Sequence, residues 1–157
     1  MFELRRVAYD HPDAVRLTEL ARAYYVSLYG SPDAAPVDNA EFASPHGAFF
    51  VGYLDDTAVS MGGWRFSAAG VPAAASRSAE VKRMYVRDDR RGGGLARATL
   101  AGLEDDAREA GADWMILETG RPQVAAIGLY RAAGYEDIEG FGFYVGWPHS
   151  VTLGKPL

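Results

Sequence analysis

Residues Val86 to Ala96 read V-R-D-D-R-R-G-G-G-L-A, and the reading of this stretch decides the fold. A strand pattern, Val81 to Val86, runs into it, and a helical pattern from Leu95 to Ala110 runs out of it. A glycine-rich turn at such a junction leaves several backbone N–H groups at a helix N-terminus with no side chains in the way. That end of a helix suits an anion, because its first N–H groups lack intrahelical partners and the dipole end is positive. Arg87, Arg90, Arg91 and Arg97 add charge around it. The expectation is a turn that holds the pyrophosphate of a nucleotide-like cofactor; the alternative is a left-handed turn that merely ends a strand.

The spacing of the glycines narrows the ligand. A Walker A loop needs Lys and then Ser or Thr after its last glycine, and Gly94 is followed by Leu95 and Ala96. The dinucleotide fingerprint G-x-G-x-x-G fits Gly92 and Gly94 but then meets Arg97. The pattern [Q/R]-x-x-G-x-[G/A] does fit, as Arg91, Gly92, Gly93, Gly94, Leu95 and Ala96.

The surrounding order is mixed α/β. Met1 to Ala8 alternates as a strand, and Pro12 to Tyr29 reads as an amphipathic helix on Val15, Leu17, Leu20, Ala21, Tyr24 and Leu28. Ser31 to Pro45 is a loop bordering the substrate site, with one helical turn near Asp38 to Phe42. Gly47 to Leu54 and Ala58 to Phe66 form a hairpin about Asp55-Asp56-Thr57. Ser67 to Ser78 reads as a mobile connection to the central strand, Ala79 to Val86. In the next helix Ala96, Leu100, Leu103, Ala107 and Ala110 make one apolar stripe, and Glu104, Asp105, Arg108 and Glu109 read as its solvated face. Trp114 to Glu118 is a short strand, Gln123 to Ala133 a helix stopped by Gly134, and Tyr135 to Ile138 with Ser150 to Leu153 the last strands.

With that order in place, the chain resembles the GNAT N-acetyltransferase family, in which the glycine turn binds the pyrophosphate of acetyl-CoA. L-Y-x-x-x-G-Y, at Leu129 to Tyr135, belongs to the same resemblance. So do E-V-K-R-M-Y-V at Glu80 to Val86, L-E-T-G at Leu117 to Gly120 and the aromatic end Phe141 to Val151, which are similar to one bacterial GNAT subgroup. The resemblance implies a central, mostly antiparallel twisted sheet flanked by helices, with splayed central strands, as one domain over residues 1–157. It implies acetyl-CoA as co-substrate and direct acetyl transfer to a primary amine, with no metal. The backbone of Met84, Tyr85 and Val86 would pair with the pantetheine arm, and Arg91 to Arg97 would hold the pyrophosphate. Where many relatives use Asn on the pantetheine, Gln123 keeps the amide with one more methylene.

Acyl transfer to an amine needs a positioned donor, a base for the ammonium and an acid for the leaving thiolate. Period-two alternation puts Glu80, Lys82, Met84 and Val86 on one face of the central strand. Glu80 is then the candidate base, or else a structural partner of Lys82 or Arg83. Tyr130, the Tyr of the family motif, is the candidate acid, or else a core ring with a wet hydroxyl. Glu118, beside Thr119, either binds the acceptor ammonium or caps a turn. Trp64, Phe49, Tyr24 and Tyr25 read as core, and His11, His46 and His149 as isolated structural residues.

Composition sets the outer bounds. A chain of 157 residues with 48% apolar and 24% charged residues suits an ordinary globular fold. Net charge is −5 with no long basic run, which argues against nucleic acid as a main partner. There is no cysteine, hence no thiolate nucleophile or thiolate metal site. No apolar run is long enough to span a bilayer and M-F-E-L-R-R lacks a signal peptide's apolar stretch, so a cytoplasmic, non-membrane protein is expected. The Ala, Gly and Arg content looks bacterial. The rival functions are an acyl-CoA-binding or sensing module without turnover, and transfer of another acyl group or to a protein lysine. The partner expected is a small-molecule amine, and a homodimer would form through the aromatic C-terminal strands.

Overall fold

Short β-rich segments punctuated by tight turns build the first half of the chain. β1 (Phe2–Val7) leads into α1 (Pro12–Tyr29), and β2 (Gly47–Leu54), β3 (Thr57–Phe66) and β4 (Ser78–Val86) follow. Asp55 and Asp56, both at positive φ, make the two-residue turn between β2 and β3, a conformation that matches the twist of hairpin strands. The second half adds α2 (Leu95–Glu109), β5 (Trp114–Gly120), α3 (Val124–Ala132), β6 (Glu136–Asp137) and β7 (Ser150–Pro156). The computed structural model describes every residue from Met1 to Leu157.

The strands form one seven-stranded sheet in the order β1-β2-β3-β4-β5-β7-β6. Every neighbouring pair is antiparallel except β4 and β5. Helices cover both faces. α2 and α3 pack Leu100, Leu103, Ala107 and Tyr130 on one face, and α1 packs Ala14, Leu17 and Ala21 on the other. No helix is long and apolar enough to cross a membrane.

Two irregularities shape the middle of the sheet. β4 and β5 pair only from Ser78–Glu80 to Trp114–Ile116. Beyond Glu80, β4 stays with β3 while β5 follows β7, so a gap opens along Val81–Val86. The second is a bulge. Met61 pairs with Tyr85 and Gly63 with Lys82, so Gly62 stands opposite both Arg83 and Met84. Arg83, at the bulge, takes a φ of 58°, a left-handed conformation uncommon for a residue other than glycine.

Three expectations change. The inward face of α1 is Ala14, Leu17 and Ala21, while Val15 and Leu20 point outward at 43% and 48% exposure. The charged face of α2 is not wholly solvated: Glu104 is buried, accepting from the Tyr135 hydroxyl at 2.7 Å and from Lys155 Nζ at 3.1 Å. A buried carboxylate is tolerable because those partners satisfy it. The Ser67–Ser78 connection is fastened at its end, where Asp113 accepts from the Ser76 and Arg77 N–H groups, both at 2.8 Å.

Candidate active site

The glycine turn is built as an open cradle. Gly92 and Gly94 take φ of 83° and 80°, where only glycine is unstrained, and a Cβ on either would meet nothing. Gly94 is the N-cap of α2 and supplies no side-chain cap. No backbone N–H from Arg91 to Arg97 donates to another backbone group. The first turn of α2 carries no acidic residue, and Arg97 lies in it. A helix start normally welcomes a capping oxygen and a carboxylate. This one lacks both and adds a cation, so its unmet need is an anion. Arg91 leans over the Tyr24 ring at 4.3 Å, pairs with Asp88 at 2.8 Å and donates from Nε to the Val86 carbonyl at 3.3 Å.

Two cavities meet in the gap beside β4. One, of about 330 Å³, is lined by the turn (Arg91, Gly92, Gly94, Leu95, Ala96, Arg97), by Met84, Tyr85 and Val86, and by α3. The other, of about 270 Å³, lies toward the C-terminal ends of β5 and α1 and includes Glu118, Thr119, Lys82 and Trp147. Tyr25, Met84, Gln123 and Tyr130 line both. Gly93, in the same turn, is exposed, with nothing closer to its open side than 4.0 Å.

The side chains proposed for chemistry fall differently from the strand alternation. Glu80 precedes the bulge and Val86 follows it, so the parity between them is reversed. Met84 joins the α2 face with Val81, while Glu80 turns to the α1 side, opposite Arg65. There Oε1 accepts from Arg65 Nε at 3.2 Å, and Arg65 also pairs with Glu41 at 2.7 Å. Glu80 therefore lines neither cavity. Glu118 does line the second cavity, and one oxygen accepts from Ser150 Oγ at 2.7 Å. Burial holds its carboxyl above the ordinary range, against the opposing pull of Ser150 and of the Lys82 charge. Tyr130 is buried, its ring edge-on to Tyr135 at 5.7 Å, and burial pushes its phenol upward, so the hydroxyl keeps its proton. The Gln123 amide donates to the Tyr29 hydroxyl at 2.9 Å. Gly120 permits that approach, since a Cβ there would lie 2.1 Å from the Tyr29 oxygen.

The model of the Acetyltransferase (GNAT) family matches residues 14–135. The chain belongs to the GNAT acetyltransferase family. An IAA acetyltransferase of Azospirillum brasilense is 36% identical over 143 residues, 91% of this chain and 90% of that protein. A Klebsiella pneumoniae crystal structure described as an acyl-CoA N-acyltransferase has a TM-score of 0.81 at 28% identity, covering 100% of this chain and 98% of that one. The PaiA N-acetyltransferase of Thermoplasma acidophilum, solved in complex with coenzyme A, shares the fold at a TM-score of 0.73 and 14% identity, with 100% and 99% covered. The GNAT fold expected from the sequence, with its splayed central strands, is the fold found, and the protein is an acyltransferase enzyme.

Within this GNAT fold, the residues that sequence reasoning missed are mostly aromatic. Tyr24 lines the turn cavity, Tyr25 lines both cavities, and Tyr29 lines the second. Core rings and cavity rings share one helical spacing, so only α1's position over the gap distinguishes them. Trp64 and Phe49 are core as expected. His149 lines the second cavity, brought there by the loop before β7. Tyr144 in that loop donates to Asp33 at 2.6 Å, and Asp33 also pairs with Arg83. The long 31–45 loop thus borders the cavity through a tie that nothing local in the sequence marks.

Proposed function

We propose that this GNAT enzyme moves the acetyl group of acetyl-CoA to the primary amine of a small molecule by direct transfer. The observation that carries the reading is the meeting of the two cavities at Met84 and Tyr130, with an open amide cradle at one end and Glu118 at the other. The turn from Arg91 to Arg97 would hold the pyrophosphate, and the unpaired edge of Met84–Val86 would take the amides of the pantetheine arm. That would bring an activated acetyl carbonyl to the junction. Holding amine and carbonyl together is worth about 7–11 kcal/mol of barrier.

Glu118, rather than Glu80, is the base of this proposal, because it lines the acceptor cavity and its raised pKa suits proton uptake. It takes one ammonium proton and passes it to solvent. The amine nitrogen bonds the acetyl carbon and the carbon–sulfur bond breaks. Tyr130 gives its proton to the leaving thiolate, and the second proton lost from nitrogen restores it. Thr119 flanks the acceptor.

The test is incubation with acetyl-CoA and a panel of primary amines, following free thiol and acetylated product together. Thiol release in step with an N-acetylated small molecule supports the reading. Tight coenzyme A binding with no release from any amine overturns it.

A further inference from the structure

The acceptor cavity contains a cation without a hydrogen bond. Lys82 is 11% exposed at its side chain, and its nearest carboxylate oxygen, Glu80 Oε2, is 4.0 Å away, beyond hydrogen-bond reach. Most of the other charged groups of the cavity are committed, although Arg83 Nε is buried without a hydrogen-bond partner. Asp33 is held by Tyr144, the Ala35 N–H and Arg83. Arg83 also donates to the Ala35 carbonyl at 3.1 Å. Glu118 accepts from Ser150. An ammonium has three donors, and Lys82 Nζ finds no protein acceptor for them, so it turns them to the cavity. Lys82 faces the same cavity as Glu118, close enough for its charge to act on that carboxyl. Trp147, 58% exposed, and Tyr144 form the outer apolar wall.

The geometry points to an acceptor that carries a carboxylate as well as its amine: a small amino carboxylate whose anion is bound by Lys82 while its amine faces Glu118. Resting on the acyl-transfer reading, this deepens it by naming the substrate class. Lys82 is the specificity-determining residue, and the aromatic wall receives an apolar side chain. A decarboxylated amine of the same shape would leave the Lys82 ammonium facing the cavity without a hydrogen-bonded anion. Sites built to bind a polar group reject analogues lacking it more strongly than apolar pockets reject a missing methylene.

The experiment compares phenylalanine with phenethylamine, which differ by the carboxylate alone. The wild-type enzyme is expected to favour phenylalanine in kcat/KM by at least tenfold, chiefly through KM. Lys82→Met is expected to lower that ratio at least tenfold, and Lys82→Arg to restore most of it. A wild-type ratio at or below one, or a ratio unmoved by Lys82→Met, overturns the assignment. Calorimetry with N-acetylphenylalanine and coenzyme A reads the same subsite without turnover. Product binding that weakens at least tenfold in Lys82→Met supports the anion subsite even if every amine fails as acceptor. Equal or absent binding in the two proteins defeats it, whatever becomes of the acyl-transfer reading.

Discussion

Glu118 sits half-buried with one oxygen on Ser150, and its environment costs the charged form more than the neutral one. A base works ionised. Because its pKa is raised, protonation removes it at a higher pH than an ordinary carboxylate would require. At saturating acceptor, kcat is therefore expected to fall as pH drops through a limb lying above the usual carboxylate range. Glu118→Gln should lower kcat by about 10²–10⁴-fold and erase that limb, whereas Glu80→Gln should keep the limb and move it toward lower pH, because the Glu80 charge helps to raise the Glu118 carboxyl. A pH–rate profile of both variants checks this. Tyr130 is argued from its hydroxyl alone, since the ring also packs against Tyr135. Tyr130→Phe keeps the ring and should cut kcat several-fold with little change in acetyl-CoA affinity, read by single-turnover kinetics and calorimetry. Tyr130 was legible from L-Y-x-x-x-G-Y. The facing of Glu80 was not, because alternation assumes an unbroken strand and Arg83 breaks it.

α2 begins without the capping a helix ordinarily carries, and the proposed pyrophosphate site rests on that feature. Its N-terminus has no side-chain cap, no first-turn carboxylate and an arginine. Supplying the missing anion from within should compete with the bound one. Gly94→Asp is expected to weaken coenzyme A binding at least tenfold in calorimetry while leaving the far-ultraviolet circular dichroism unchanged, since a short polar residue tolerates the left-handed conformation better than most. The apolar stripe of α2 was legible because helical periodicity is local. Glu104 was not, because its partners Tyr135 and Lys155 come from beyond α3. α1 was legible as a helix, yet its inward face was misjudged: small Ala14 and Ala21 sit closest to the sheet, where larger side chains would hold the helix away.

At the scale of the molecule, the gap between β4 and β5 is where the sheet gives up its own pairing. β4's free edge along Val81–Val86 and the open amides at the start of α2 are the two surfaces assigned to coenzyme A in the proposed function. Filling them should stabilise the whole fold. Coenzyme A at about 100 times its Kd is expected to add about 2.7 kcal/mol, or about 5–10 °C in Tm, in a thermal-shift series. Hydrogen exchange at Met84–Val86 should slow in the same titration.

Consecutive residues were enough to determine the glycine turn, the strand–helix order around it and the family motif on α3. Each of these is a local constraint: a positive φ, a periodicity or a spacing within one element. Tertiary structure decided which glutamate lines the cavity and which rings wall it. It also placed Lys82 and Glu118, from strands that have already parted, on the wall of one open cavity. Facing depends on register parity, and a single extra residue in β4 reverses it for every side chain beyond.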